Sequence, residues 1–196
     1  MRTVVLIQPK LGFIDNLFGK PALPLSLLHL SSFLNGKYRI VILDQRVEDN
    51  FYRKLDSFIS DNSVICFGVT SYPGENLYYC LQIIRFIKSK SKKIPVVFGG
   101  TIASLATELA LNSYPIDFIL KGNAELSFYN LVVALDEGKD FSNISNLCFR
   151  RSGGVLINSG SSQDYVTALP GLPYYVLNPN QYNVNIYNFQ SSRGCI

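Results

Sequence analysis

The residues able to do chemistry in this 196-residue chain stand at the ends of short apolar runs rather than in one cluster. They fall in four segments: Gln8-Pro9, Thr70-Ser71-Tyr72, Gly99-Gly100-Thr101 and Gly122-Asn123-Ala124-Glu125. Hydroxyls and side-chain amides suit hydrogen bonding to a polar ligand. Paired glycines remove two β-carbons, which lets a flat or bulky group approach the backbone, or simply lets the chain turn. Thr101 is placed to cap a following helix, whose first N–H groups favour a phosphate or an amide oxygen. Glu75 and Glu125 read as acids at helix starts, where they complement the helix dipole. There is no carboxylate pair, nucleophile–base set or metal-ligating cluster, so no catalytic residue is expected. No G-x-G-x-x-G or Walker lysine loop follows the first strand, which removes the main support for nicotinamide or ATP binding. Asp15 is solitary, where a phospho-acceptor receiver would carry several acids. Cys195 ends the run Ser192-Arg193-Gly194-Cys195, and one thiolate holds no iron–sulfur cluster by itself.

The elements that must position these segments follow from periodicity. Strands are expected at 4–8, 39–44, 64–69, 95–98 and 117–120, and helices at 25–34, 51–59, 76–87, 102–111 and 125–135. Val64-Ile65-Cys66-Phe67-Gly68-Val69 is apolar on both faces, as in a parallel strand covered by helices above and below. Strict strand–helix alternation predicts an α/β fold: a doubly wound, five-stranded parallel sheet, flavodoxin-like, in the order 2-1-3-4-5. Ligands of such sheets bind outside the carboxyl ends of the strands, where all four segments lie. Beyond Asp140 the pattern changes. Residues 144–150 and 155–158 flank Arg151-Ser152-Gly153-Gly154, a hairpin signal, and a Pro-, Asn- and Tyr-rich connector follows. The expected organisation is an α/β domain over 1–140 and a hairpin with extended linker over 141–196.

The net charge of +4 is mild, and the one dense basic run, Lys88 to Lys93, ends a predicted helix where cations complement the dipole. Basic residues interleaved with aromatic platforms are missing, so no nucleic-acid partner is expected. No run of apolar residues is long enough to span a membrane, and the first apolar run is too short for a signal peptide. Cys66, Cys80, Cys148 and Cys195 lack paired spacing and fit a reducing compartment, so a cytoplasmic location is expected.

Several segments, in order, resemble the N-terminal cobalamin-binding domain of cobalamin-dependent radical S-adenosylmethionine proteins. Pro21-Ala22-Leu23-Pro24-Leu25-Ser26-Leu27-Leu28 resembles the family's P-x-x-P-L-G/S-L-L opening of its first helix. Val96-Val97-Phe98-Gly99-Gly100-Thr101 resembles V-V-x-G-G-x, and Thr107-Glu108 its next helix. Asp117 to Glu125 resembles D-x-x-x-x-G-E-G-E, with Asn123-Ala124 replacing the usual Glu-Gly. The hairpin, Leu169-Pro170 to Pro173, Tyr182 and Arg193-Gly194-Cys195 resemble the lead into the radical domain, where three cysteines spaced C-x3-C-x2-C carry the cluster. The first strand lacks the D-x-H-x-x-G loop that places a histidine beneath cobalt.

The resemblance implies a cobalamin-binding module that is not itself catalytic. Cobalamin would be bound base-off with no histidine ligand, against a downstream radical S-adenosylmethionine domain cut away here. The nucleotide tail would enter between strands 1 and 3, beside Thr70 and Ser71 and along Gly99, Gly100 and Thr101. Gln8, Pro9 and Tyr72 would touch the corrin, while Gly122, Asn123 and Glu125 complete the binding turn. Cys195 would be the first ligand of a [4Fe-4S] cluster that, with S-adenosylmethionine, belongs to the full-length protein, whose expected reaction is methyl transfer or a related radical step. His29, the only histidine, reads as structural within its helix. Replacing Gly100 by leucine is expected to weaken cobalamin binding with the fold intact. The alternative is the same fold with its cleft filled by Phe13, Phe18 or Tyr72, serving as a docking or substrate-recognition domain.

Overall fold

The computed structural model describes residues 1–17, 19–159 and 170–183. Five parallel strands, β1 (Thr3–Gln8), β2 (Arg39–Asp44), β3 (Val64–Ser71), β4 (Val96–Gly100) and β5 (Phe118–Leu120), alternate with α1 (Leu25–Ser31), α2 (Phe51–Ile59), α3 (Asn76–Lys90), α4 (Thr101–Leu105), α5 (Thr107–Ser113) and α6 (Glu125–Glu137). The helix expected over 102–111 is broken in two at Ala106, whose φ of −120° and ψ of 39° are not helical. Thr107 Oγ1 donates to the Ala103 carbonyl at 2.8 Å, a back-bond of the kind that bends helices.

The sheet runs β2-β1-β3-β4-β5-β6-β7. The order of the first five strands is as expected, but the sheet has seven strands rather than five. The hairpin, β6 (Leu147–Arg151) and β7 (Gly154–Ile157), continues it antiparallel. The physical reason lies in β5, only three residues long, whose outer edge would leave buried backbone groups unpaired. Phe118 faces Phe149 and Leu120 faces Leu147 across that edge, and Phe141 packs edge-on against both phenylalanines.

Each face of the sheet has its own core. One carries α2, α3, α4 and α5, with Phe67, Val69 and Phe98 pointing into Leu55, Ile83, Ile84 and Leu111. The other carries α1 and α6, with Val4, Leu6 and Val97 against Leu27, Leu28, Phe128 and Leu131. Residues 170–183 lie on this second side, where Leu177 and Tyr182 join the same core. Asp44, at the end of β2, anchors them: Arg46 Nη2 donates to its Oδ2 at 2.7 Å and the Tyr182 hydroxyl donates to the same oxygen at 3.2 Å. Burial and the Asp44 carboxylate together hold the Tyr182 phenol well above its ordinary pKa.

Candidate functional site

Along the carboxyl halves of β3 and β4 the two faces differ in bulk. Phe67, Val69 and Phe98 fill one face; Gly68, Thr70 and Gly99 occupy the other, with Gly68 paired to Val97 and Thr70 to Gly99. Missing side chains leave a hollow between the sheet and the helices above it. A cavity of about 480 Å³ lies there, floored by Gly68, Thr70, Val97, Gly99 and Leu120 and walled by α1 and α6. On α1, Ser26, His29 and Leu30 reach it at i, i+3 and i+4; on α6, Glu125 and Phe128 reach it at i and i+3. Gly122, Asn123 and Ala124 close the end beyond β5.

The glycines of this floor are not equivalent. A β-carbon on Gly99 would meet nothing closer than the Leu120 carbonyl at 3.9 Å, so Gly99 keeps open space. A β-carbon on Gly100 would come within 2.3 Å of the Ser71 carbonyl oxygen, and its φ of +94° is left-handed. Gly100 therefore serves the backbone, and the expectation that Gly100→Leu spares the fold is corrected: the clash falls on strand β3 itself.

Of the residues singled out from sequence, Thr70, Gly99, Gly100, Gly122, Asn123 and Glu125 line the cavity together. Ser71 is fully buried; its hydroxyl donates to the Gly99 carbonyl at 2.8 Å and accepts from the Ala103 N–H at 3.2 Å, satisfying the start of α4. Thr101 is exposed and is the first helical residue, not the cap, which is Gly100. Gln8 and Pro9 are buried at the end of β1, where Gln8 Nε2 donates to the Pro9 carbonyl at 3.0 Å. The Tyr72 hydroxyl lies 3.1 Å from Ser26 Oγ, joining the loop after β3 to the start of α1. The cavity lies over β3, β4 and β5 and takes no residue from β1, so it sits to one side of the strand 1–3 cleft. Phe13 is exposed and Tyr72 does not line the cavity; Phe18 and Cys195 lie outside the described residues.

Sequence reasoning missed three contributors. His29 is a cavity wall residue, at a helical spacing from Ser26 that identifies it. Asn76, fully buried, accepts the Tyr72 N–H at 2.7 Å and donates to the Lys10 carbonyl at 2.8 Å, tying together the loops that leave β1 and β3. Ser104 donates to the Gly100 carbonyl at 3.0 Å and accepts the Gly122 N–H at 3.2 Å, doing the same for the loops after β4 and β5. Neither contact has a local sequence signal, because each partner lies on another loop. Burial pushes the Cys66 and Cys80 thiols up to about 12, so neither is a thiolate at neutral pH. Among the described residues no group of three or more His, Cys, Asp or Glu could hold a metal ion, and no helix is long and apolar enough to cross a membrane.

The B12 binding domain family matches residues 16–132. An uncharacterized methyltransferase of Pyrococcus horikoshii, PH0819, is 26% identical over 156 residues, which covers 79% of this chain and 34% of that protein. Among solved structures, the radical S-adenosylmethionine methyltransferase TsrM from Kitasatospora setae, with cobalamin and a [4Fe-4S] cluster bound, superposes with a TM-score of 0.69 at 21% identity, over 88% of this chain and 31% of TsrM. The cobalamin-dependent S-adenosylmethionine radical enzyme OxsB, with aqua-cobalamin bound, gives 0.72 at 20% identity, over 88% of this chain and 24% of OxsB. At these identities the likeness to the solved structures is one of fold. The chain spans about a third of the length of the curated relative it matches.

Proposed function

The chain belongs to the family of B12 binding domains, and from that premise we propose that it buries the nucleotide tail of cobalamin in the cavity over β3, β4 and β5. The observation that carries this reading is the cradle itself: about 480 Å³ at the carboxyl end of a parallel sheet, with open space kept at Gly99. A β-carbon at Gly99 would project into that space, so the residues present fit a buried group. Leu30, Val97, Leu120 and Phe128 exclude water from the tail, and Ser26, Thr70 and Asn123 supply hydrogen bonds to its polar atoms. Gln8, Pro9 and Tyr72, on the loops that Asn76 fastens together, support the corrin at the strand ends. Cobalamin would be held base-off with no histidine of this chain as its ligand: the only histidine of the given sequence lines the tail cavity, and the loop after β1 has none.

Bound cobalamin supplies organometallic methyl-transfer chemistry, and the protein's part is to hold, orient and keep it dry. The partner in that chemistry is a downstream radical S-adenosylmethionine domain, with Cys195 as the first ligand of its [4Fe-4S] cluster. Methyl transfer is the reaction of the whole protein on this reading, which the named activities of PH0819 and TsrM support. A visible-absorption titration of the chain with hydroxocobalamin, methylcobalamin and a non-corrin control tests the binding step. The expected result is saturable binding of both corrinoids with a base-off spectrum. A folded chain that leaves both spectra unchanged would overturn the reading.

A further inference from the structure

The wall that α1 gives the cavity depends on how the chain enters that helix. Leu25 and Ser26, its first residues, line the cavity. No side chain caps the helix, and its N-cap, Pro24, has no N–H to give. The carbonyls just ahead of it are held from outside. The Asn183 N–H donates to the Pro21 carbonyl at 2.9 Å, and Arg46 Nη2 donates to the Ala22 carbonyl at 3.1 Å. Arg46 is itself fixed by Asp44, with Nε on Oδ1 at 2.9 Å and Nη2 on Oδ2 at 2.7 Å. The Tyr182 hydroxyl donates to that same Oδ2 at 3.2 Å. The side chains of Asp44 and Arg46 are 1% and 7% exposed and Tyr182 is buried, so water is poorly placed to replace a lost partner. Lys20 Nζ on the Asn180 carbonyl at 2.7 Å extends the seam, and Leu23 packs against the core that holds Leu177 and Tyr182. Residues 170–183 thus form a strap whose far end grips the entry to α1.

Resting on the cobalamin reading above, we infer that Tyr182 and Arg46 are positioning residues for the nucleotide tail, so that the strap and cobalamin bind the rest of the fold cooperatively. Neither residue lines the cavity. They act through the Pro21 and Ala22 carbonyls, which set α1 against the ligand. A tail in the cavity fixes α1 in turn, and with it the carbonyls that the strap grips. Such coupling is reciprocal: unseating the strap weakens cobalamin by the same factor by which cobalamin tightens the strap.

The test measures the Kd for hydroxocobalamin by visible absorption, with thermal denaturation alongside. Tyr182→Ala is expected to raise Kd roughly fivefold or more. Tyr182→Phe keeps the ring, loses one hydrogen bond and should give a smaller rise. Arg150→Leu is the control for stability alone: Arg150 donates to the Leu111 and Ile116 carbonyls ahead of β5, away from the cavity, and its loss should leave Kd unmoved. Hydrogen exchange reads the reciprocal effect in the unaltered chain. Saturating hydroxocobalamin should slow the Asn183 amide by about the factor seen in Kd. The Asn158 amide, bonded to the Leu147 carbonyl at the hairpin edge of the sheet, should not slow. An unmoved Kd in folded Tyr182→Ala, an equal rise in Arg150→Leu, or an Asn183 amide indifferent to hydroxocobalamin overturns the inference and leaves the cobalamin reading standing. Should Tyr182→Ala not fold, Tyr182→Phe decides by the same comparison. Failure of the unaltered chain to bind hydroxocobalamin overturns both.

Discussion

Gly99→Leu separates the cavity from the fold. The substitution places a leucine in the hollow, from a β-carbon whose nearest neighbour is 3.9 Å away and from an ordinary strand backbone. A leucine side chain gains about 1.5–3 kcal/mol on leaving water. With no ligand bound, the variant should therefore keep or raise its stability, and cavity filling in a chain of this size moves Tm upward by a few degrees. Tail entry forfeits that same burial, because leucine and tail contend for one space. The loss corresponds to roughly a 10- to 100-fold rise in the Kd for cobalamin. Thermal denaturation and a corrinoid titration on the same preparation read both effects. Gly100→Ala is the contrast: a single added methyl at a left-handed φ, 2.3 Å from the Ser71 oxygen, should lower stability by about 1 kcal/mol or more. A folded Gly99→Leu chain that binds cobalamin with unchanged Kd would refute the placement of the tail over β4.

Two further predictions concern the anchor of residues 170–183. Asp44 and Arg46 are both nearly buried, so Arg46→Met strands a carboxylate in the core; urea unfolding should show a loss of about 3 kcal/mol, with part of it restored by adding Asp44→Asn. Tyr182 has a phenol whose pKa is raised from 10.0 in the folded chain by burial first and by Asp44 second. A raised folded pKa means that its contribution to stability is whole below pH 10 and declines as pH rises above it. Tyr182→Phe should remove that component, giving a shallower fall in the denaturation midpoint between about pH 10 and 11 than the unaltered chain shows.

The parallel core of the fold was legible because period and composition agreed along it. Val64 to Val69 reads as a strand buried on both faces, and it is one. Two features escaped. The hairpin's membership in the sheet depends on the unsatisfied edge of β5, a tertiary demand that residues 144–158 do not express locally. The break at Ala106 depends on a Thr107 side chain bonding back to Ala103, which competes with helix continuation only once both are helical. The site was half legible. Six of the residues singled out at strand ends do meet at one cavity, since topology alone brings those ends together. The walls were not foreseen: His29 and Phe128 enter because α1 and α6 cover the same face, and neither residue lies near a strand end.

One pattern in the sequence carried more than was taken from it. In β3 and β4, alternate positions are Phe67, Val69 and Phe98 on one side and Gly68, Thr70 and Gly99 on the other. A strand whose only task is to fill a core has no reason for that asymmetry, because glycine in a strand interior loses packing and adds conformational freedom to the unfolded chain. Close helix packing could explain Gly68, where a β-carbon would meet Leu6 at 2.8 Å and Phe128 at 3.7 Å. It does not explain Gly99, beside which a β-carbon finds ordinary room and nothing presses. A stability loss with no structural return, placed at the carboxyl end of a central parallel strand, is what a binding site leaves in a sequence that otherwise agrees with its fold at every level. Gly99, more than the conspicuous pair it belongs to, is the residue on which the proposed placement of the nucleotide tail rests.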